Sequence, residues 1–184
     1  MDLFYYFDAL EESDNLHLSR ILILLNVFAG RDGSKSIDGI TKLAKLDFFL
    51  RYPVYLKKAL KNRKITKKDL QKFEIKEYEE NSIESKMVRF RYGPWDFRYN
   101  KYINQLIAKA LIEIKREGKM TKFFLTLNGF EISKKLASDK NLLDFEKRAK
   151  FLKKYLDLSA PHLMNFVYRT FPEIGNLKFG EKIT

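Results

Sequence analysis

The hydrophobic period changes at Leu111, and that change restricts the fold more than any other feature of the chain. Upstream, Ile103, Leu106, Ile107, Ala110 and Leu111 recur at the three- and four-residue spacing of a helix. Leu111-Ile112-Glu113-Ile114-Lys115-Arg116 then alternates imperfectly, Glu117-Gly118-Lys119 reads as a turn, and Met120 to Leu127 is rich in strand-forming side chains. Asn128-Gly129 ends this stretch, after which Phe130, Ile132 and Leu136 open another helix. A helix, a β-hairpin at about residues 111–127 and a second helix are predicted in that order. It is the order of the winged helix-turn-helix, whose helix before the hairpin enters the major groove while the wing touches phosphate.

The other segments read mainly as helices. Leu16 to Ala29 is apolar around most of its circumference, as in a helix enclosed by others, with Asp14 or Asn15 to cap its start and Gly30 after its end. A second helix, capped by Ser36 or Asp38, carries Ile40, Leu43, Leu46, Phe49 and Leu50, and Pro53 interrupts it before the pattern resumes to about Arg63. Gly93-Pro94 predicts a helix start, because proline is favoured in a first helical turn. Two helices, Leu142 to Leu156 and roughly Ala160 to Tyr168, close the chain, and Phe171 to Gly175 reads as an ordered loop.

The expected class is therefore mainly α (α+β): a winged helix-turn-helix core of five to seven helices with one hairpin wing and extra C-terminal helices. Residues 1–15 form an acidic N-terminal segment. Residues 16–138 form the winged-helix domain, with a charged insertion at about 62–82. Residues 139–184 are a C-terminal helical extension packed on the same core.

Charge points to association. The 184 residues hold 36 Lys and Arg against 24 Asp and Glu, a net +12. Asp2, Asp8, Glu11, Glu12 and Asp14 make residues 1–15 a local −5, so the remainder carries +17. Such a surplus favours an anionic partner, nucleic acid or an acidic protein face. The absence of cysteine excludes disulfide scaffolds, thiolate zinc sites and cysteine nucleophiles. No apolar run approaches the roughly 20 residues of a membrane span, and the acidic N-terminus has the wrong charge for a signal peptide. A cytoplasmic protein is expected.

The catalytic inventory is thin. Histidine is the usual catalytic base, and the chain has only two, His17 and His162; neither has a partner at catalytic spacing, and no G-x-S-x-G elbow is present. Glu74, Glu77 and Glu80 read as a solvated charge run rather than a metal cage. Gly30 to Ser36 departs from the phosphate-binding loop, because Ser34 stands where glycine must precede the lysine, and it follows a helix instead of a strand. The chain is expected to be no enzyme and to need no cofactor or metal.

Binding has more candidates. Arg89, Arg91, Arg98 and Lys101 near the presumed recognition helix, with Lys115, Arg116, Lys119 and Lys122 on the wing, suit phosphate contact. The helix offers few base-reading groups beyond Asn100, Asn104, Gln105 and Lys109, so any duplex contact should be independent of sequence. Arg89 to Tyr99 interleaves five aromatics with three arginines and holds the only tryptophan, a composition typical of interface centres. Trp95, Phe97 and Tyr99 are candidate partner contacts, together with Phe166, Tyr168 and Phe171 of the apolar C-terminal segment.

Several separated runs resemble one family. They are Phe28 to Gly39, Thr41 to Asp47, Leu50-Arg51-Tyr52-Pro53, Glu84 to Asp96 and Tyr168 to Ile174. Together they look like the middle component of bacterial three-component ABC-ATPase systems, which include Lamassu-type anti-phage defence. The resemblance spans most of residues 16–183 and leaves out 1–15 and 62–82. It implies a small winged-helix accessory subunit whose companions are an SMC-like ABC ATPase with coiled-coil arms and an effector, often a nuclease. ATP hydrolysis and killing chemistry would lie with those companions. A free-standing winged-helix transcription regulator is the competing reading.

Overall fold

A computed structural model of the chain describes residues 14–63, 65–77, 79 and 87–183. The fold is mainly helical, with a small antiparallel sheet. Its axis is α1 (Asp14–Ala29). Ile21, Ile23 and Leu24 of this helix are fully buried, and an element apolar on nearly every side must be enclosed by others. The enclosing elements are α2 (Ile40–Arg51), α5 (Tyr99–Ala108), α6 (Leu127–Ala137), α7 (Leu143–Tyr155) and strand β5 (Met120–Leu125).

Between α2 and α5 the chain forms α3 (Pro53–Asn62), α4 (Lys67–Gln71) and a two-stranded ribbon, β2 (Val88–Phe90) with β3 (Gly93–Trp95). Pro53 opens α3, where its missing N–H costs nothing. The hairpin expected at 111–127 is β4 (Ile112–Glu117) paired with β5, in register from Ile112↔Leu125 to Glu117↔Met120. A two-residue strand, β1 (Ile37–Asp38), adds to its other edge and gives the order β1-β5-β4. Among the described residues no helix is long and apolar enough to cross a membrane.

The C-terminal helices α8 (Ala160–Thr170) and α9 (Pro172–Asn176) feed Leu163, Val167, Phe171 and Ile174 into the core that holds α1 and α2. The last residues then return to the ribbon. Arg89 N–H donates to Glu181 O at 2.9 Å, Ile183 N–H donates to Met87 O at 2.9 Å, and the Tyr52 hydroxyl donates to Ile183 O at 3.1 Å.

Four local expectations are corrected. Pro94 does not start a helix: it sits in β3 opposite Arg89, and α5 begins at Tyr99. The returning tail covers the outer edge of β2, which leaves β3 as the edge strand of the ribbon, and an edge tolerates a residue without an N–H. Neither Ser36 nor Asp38 caps α2, because the Ser36 hydroxyl donates to Asp38 at 2.5 Å and the chain there is β1. Asn128-Gly129 lies in the first turn of α6, capped by Thr126, whose hydroxyl accepts from Gly129 N–H at 2.9 Å. Phe171 to Gly175 is not a loop, since α9 starts at Pro172. The acidic residues up to position 13 and Glu80 lie outside the described residues. The described residues of the insertion near 62–82 are fastened to the helical core. Phe73 packs edge-on against Phe151 at 5.5 Å, and Glu79 takes Arg148 Nη2 on both oxygens at 2.6 and 2.7 Å.

Candidate functional site

The β2–β3 ribbon, the start of α5 and the returning tail build a surface of rings and guanidinium groups. Phe90 is its centre. Trp95 stacks on it at 6.3 Å between centroids, while Phe97 and Phe179 meet it edge-on at 5.6 and 6.4 Å. The outer rings face solvent: Phe97 is 64% exposed, Phe179 63% and Tyr92 56%. Arg89 lies over the Phe179 ring at 4.2 Å, and Arg91 is exposed at the ribbon turn. Clustered exposed rings beside arginines are the composition of interface centres.

Beneath this surface lies a buried charge network that sequence reasoning missed. Asp47 of α2 is fully buried and accepts from Arg20 Nε at 2.5 Å, Arg51 Nε at 2.9 Å and the Tyr99 hydroxyl at 2.7 Å. Arg51 Nη1 continues to Asp96 Oδ2 at 2.7 Å. Asp96 also accepts from Arg98 Nε at 3.0 Å and Nη2 at 2.8 Å. Three elements and the entry to α5 are thus locked together by charge-assisted bonds. Burial opposes ionisation of both carboxylates, but the adjacent guanidiniums outweigh it and hold both well below the usual range. Burial, joined by the charge of Asp47, raises the Tyr99 phenol well above its ordinary value. His17 stacks on Tyr102 at 5.0 Å, and its Nδ1 takes Arg20 Nη2 at 2.8 Å. A guanidinium can only donate, so Nδ1 is the acceptor and the proton sits on Nε2. Burial and then Arg20 push the histidine down to about 3, so it is neutral at pH 7.

The candidate partner contacts divide. Trp95 and Phe97 belong to the ring surface. Tyr99 and Phe171 do not: both are fully buried, Tyr99 on Asp47 and Phe171 against Phe49 and Tyr55, so a role in touching a partner is corrected to one in the core. Tyr168 supports the ribbon from behind, its hydroxyl donating to Phe90 O at 3.2 Å. Phe166 is half-buried against Arg63.

The eight candidate phosphate contacts divide as well. Arg98 is bound to Asp96, Lys101 to Asp14 at 2.6 Å, Lys115 to Glu113 at 3.0 Å and Lys122 to Glu117 at 2.7 Å. Arg89 is engaged with Phe179. Arg91, Arg116 and Lys119 are exposed and have no ion-pair partner among the described residues. Between α5 and the β4–β5 hairpin runs an open groove of about 770 Å³, lined by Asn100, Ile103, Asn104, Ile114 and Met120, more apolar than a phosphate track. A more basic groove lies elsewhere, where Arg31, Lys134, Lys150, Lys153 and Lys154 converge between the end of α1 and helices α6 and α7. Lys150, Lys153 and Lys154 are paired with Glu146, Asp157 and Asp69, which leaves Arg31 and Lys134 as its cations without an ion pair among the described residues.

The comparisons add no relative. No protein-family model, curated protein or solved structure matches the chain.

Proposed function

We propose that the chain is a non-catalytic winged-helix accessory subunit that docks on an SMC-like ABC ATPase through the ring and arginine surface of the β2–β3 ribbon. The observation that carries the docking reading is the exposure of Phe97, Phe179 and Tyr92 around Phe90, since every other Phe, Tyr or Trp side chain among the described residues is buried or half-buried. Apolar rings held in water by a rigid ribbon cost free energy that a partner recovers on covering them. The winged-helix reading is supported by the order α1-β1-α2 then α5-β4-β5, and by the strand order β1-β5-β4 with α5 leading directly into the hairpin. The identity of the partner rests on the family resemblance of the runs from Phe28 to Ile174. An effector subunit, often a nuclease in that family, completes the complex.

Duplex DNA has a smaller place in this account. Arg116 and Lys119 at the hairpin tip are its candidate phosphate contacts, and they would bind without regard to sequence. A free-standing transcription regulator fits less well, because α5 exposes few base-reading side chains beyond Asn100, Asn104 and Lys109, with Ile107 exposed among them. The test is purification of the tagged full chain from its own cells, with mass spectrometry of what accompanies it. An ABC ATPase with coiled-coil arms is expected in stoichiometric amount. Its absence, with the chain recovered alone on promoter DNA, contradicts the proposal.

A further inference from the structure

Lys45 sits in the middle of α2 and is only 1% exposed. Its Nζ donates one hydrogen bond, to Thr41 O at 2.9 Å, and no carboxylate among the described residues forms an ion pair with it. An ammonium carries three donors, so two remain. A buried charge without a counter-ion is unfavourable, and burial accordingly pushes the lysine down to about 8. The neighbouring buried cations Arg20, Arg51 and Arg148 each have a carboxylate. Lys45 does not.

The lysine opens onto a cavity of about 160 Å³ lined by Thr41, Phe90, Tyr92, Pro94 and Trp95. Its walls are almost wholly apolar, and one of them, Tyr92, is itself exposed to solvent. Gly93 lets the ribbon close over the stem. Its φ of +116° suits glycine, and a Cβ there would stand 3.3 Å from Lys45 Cε. A dry cavity of roughly 150 Å³ accommodates a benzene-sized body. One ammonium with two spare donors matches a carboxylate, whereas a phosphate dianion calls for several donors and a neutral ligand would leave the charge uncompensated.

We infer that this cavity binds a small carboxylate with an apolar body, the carboxylate on Lys45 Nζ and the body against the rings of Phe90 and Trp95. The site stands independently of the docking proposal, because it is a property of the free chain.

The chain's only tryptophan lines the cavity, so a single indole N–H resonance of the full-length ¹⁵N-labelled protein reports on it. Benzoate should move that resonance saturably, with a dissociation constant at least about tenfold below that of benzamide, which has the same shape without the charge. Lys45→Met should abolish the preference while leaving the protein folded, since the two side chains are close in volume. Gly93→Ala, which presses a methyl group on the lysine stem, should weaken benzoate binding. The inference is overturned if neither benzoate nor acetate moves the indole saturably, if benzamide binds as well as benzoate, or if Lys45→Met keeps the preference. The comparison of benzoate with benzamide needs no variant, so it decides even where a substitution fails to fold.

Discussion

Arg51 in α2 reaches Asp96 at the entry to α5, Nη1 to Oδ2 at 2.7 Å, across 45 residues of chain. The insertion that separates α2 from α5 therefore leaves the two helices joined at a buried ion pair. The same pair fixes the end of β3, and hence the ribbon that carries the exposed rings.

The network predicts a large penalty for a small change. Asp47→Asn removes the charge shared by Arg20 and Arg51 and should cost about 3–5 kcal/mol, because it strips the buried Arg20 guanidinium of its carboxylate and leaves Arg51 with Asp96 alone. Tyr99→Phe deletes one bond to the same carboxylate and should cost about 1–2 kcal/mol. Urea denaturation of both variants checks this. An Asp47→Asn loss no larger than that of Tyr99→Phe contradicts it.

Acid should weaken the fold in two windows. The folded pKa of His17 is lowered to about 3 from 6.5, so below pH 6.5 the unfolded chain binds a proton that the folded chain refuses. Stability should then fall as pH drops, by up to about 1.4 kcal/mol per pH unit while only the unfolded state is protonated. Asp47 and Asp96 are also lowered, so their contribution is present above 3.8 and lost further into acid. His17→Gln should flatten the stability curve between pH 6.5 and 5 and leave the lower window. An unchanged slope in the upper window would show that another group sets it.

Much of this architecture is legible in the sequence, and the exceptions have physical causes. Periodicity marks α1, α2 and the β4–β5 hairpin because each has a long apolar stripe or alternation. The ribbon escapes it: three residues per strand are too few for a period, and Gly93-Pro94 carries the signal of a helix start. The network had a signal that hydrophobic counting overlooks. Asp47 is four residues after Leu43 and four before Arg51, so it falls in the apolar stripe of α2, as Arg20 does between His17 and Leu24 in α1. Charges at stripe positions of enclosed helices must find one another. The buried fate of Phe171 and Tyr99 is the reverse case, since composition does not say which aromatics of an apolar segment face inward.

Gly129 is a packing requirement. A Cβ at this position would lie 1.8 Å from Leu111 O, a backbone atom that cannot step aside. Gly129→Ala should lose about 2–3 kcal/mol despite the better helix propensity of alanine, because it pries α6 from the start of β4. A melting temperature at or above that of the parent chain contradicts this packing.

On duplex DNA, the unpaired wing cations should matter more than the paired ones. Arg116→Ala and Lys119→Ala should each weaken binding equally for unrelated duplexes and lower the log–log salt slope by up to roughly one unit. Lys115→Ala and Lys122→Ala, whose charges are already met by Glu113 and Glu117, should change it less. Fluorescence anisotropy over a salt series measures this. Loss for one sequence alone, or equal effects of all four, rejects the assignment.

The docking claim is tested most directly by the affinity of the co-purified ATPase for the parent chain and for a Phe97→Ala, Phe179→Ala double variant. Both rings are mostly exposed and contribute little to the core, so the variant should melt where the parent does. Each truncation at an interface centre should remove about 2 kcal/mol of binding, so the double variant should lose at least about a hundredfold in affinity. A folded double variant that holds the ATPase as tightly as the parent would contradict the proposed surface.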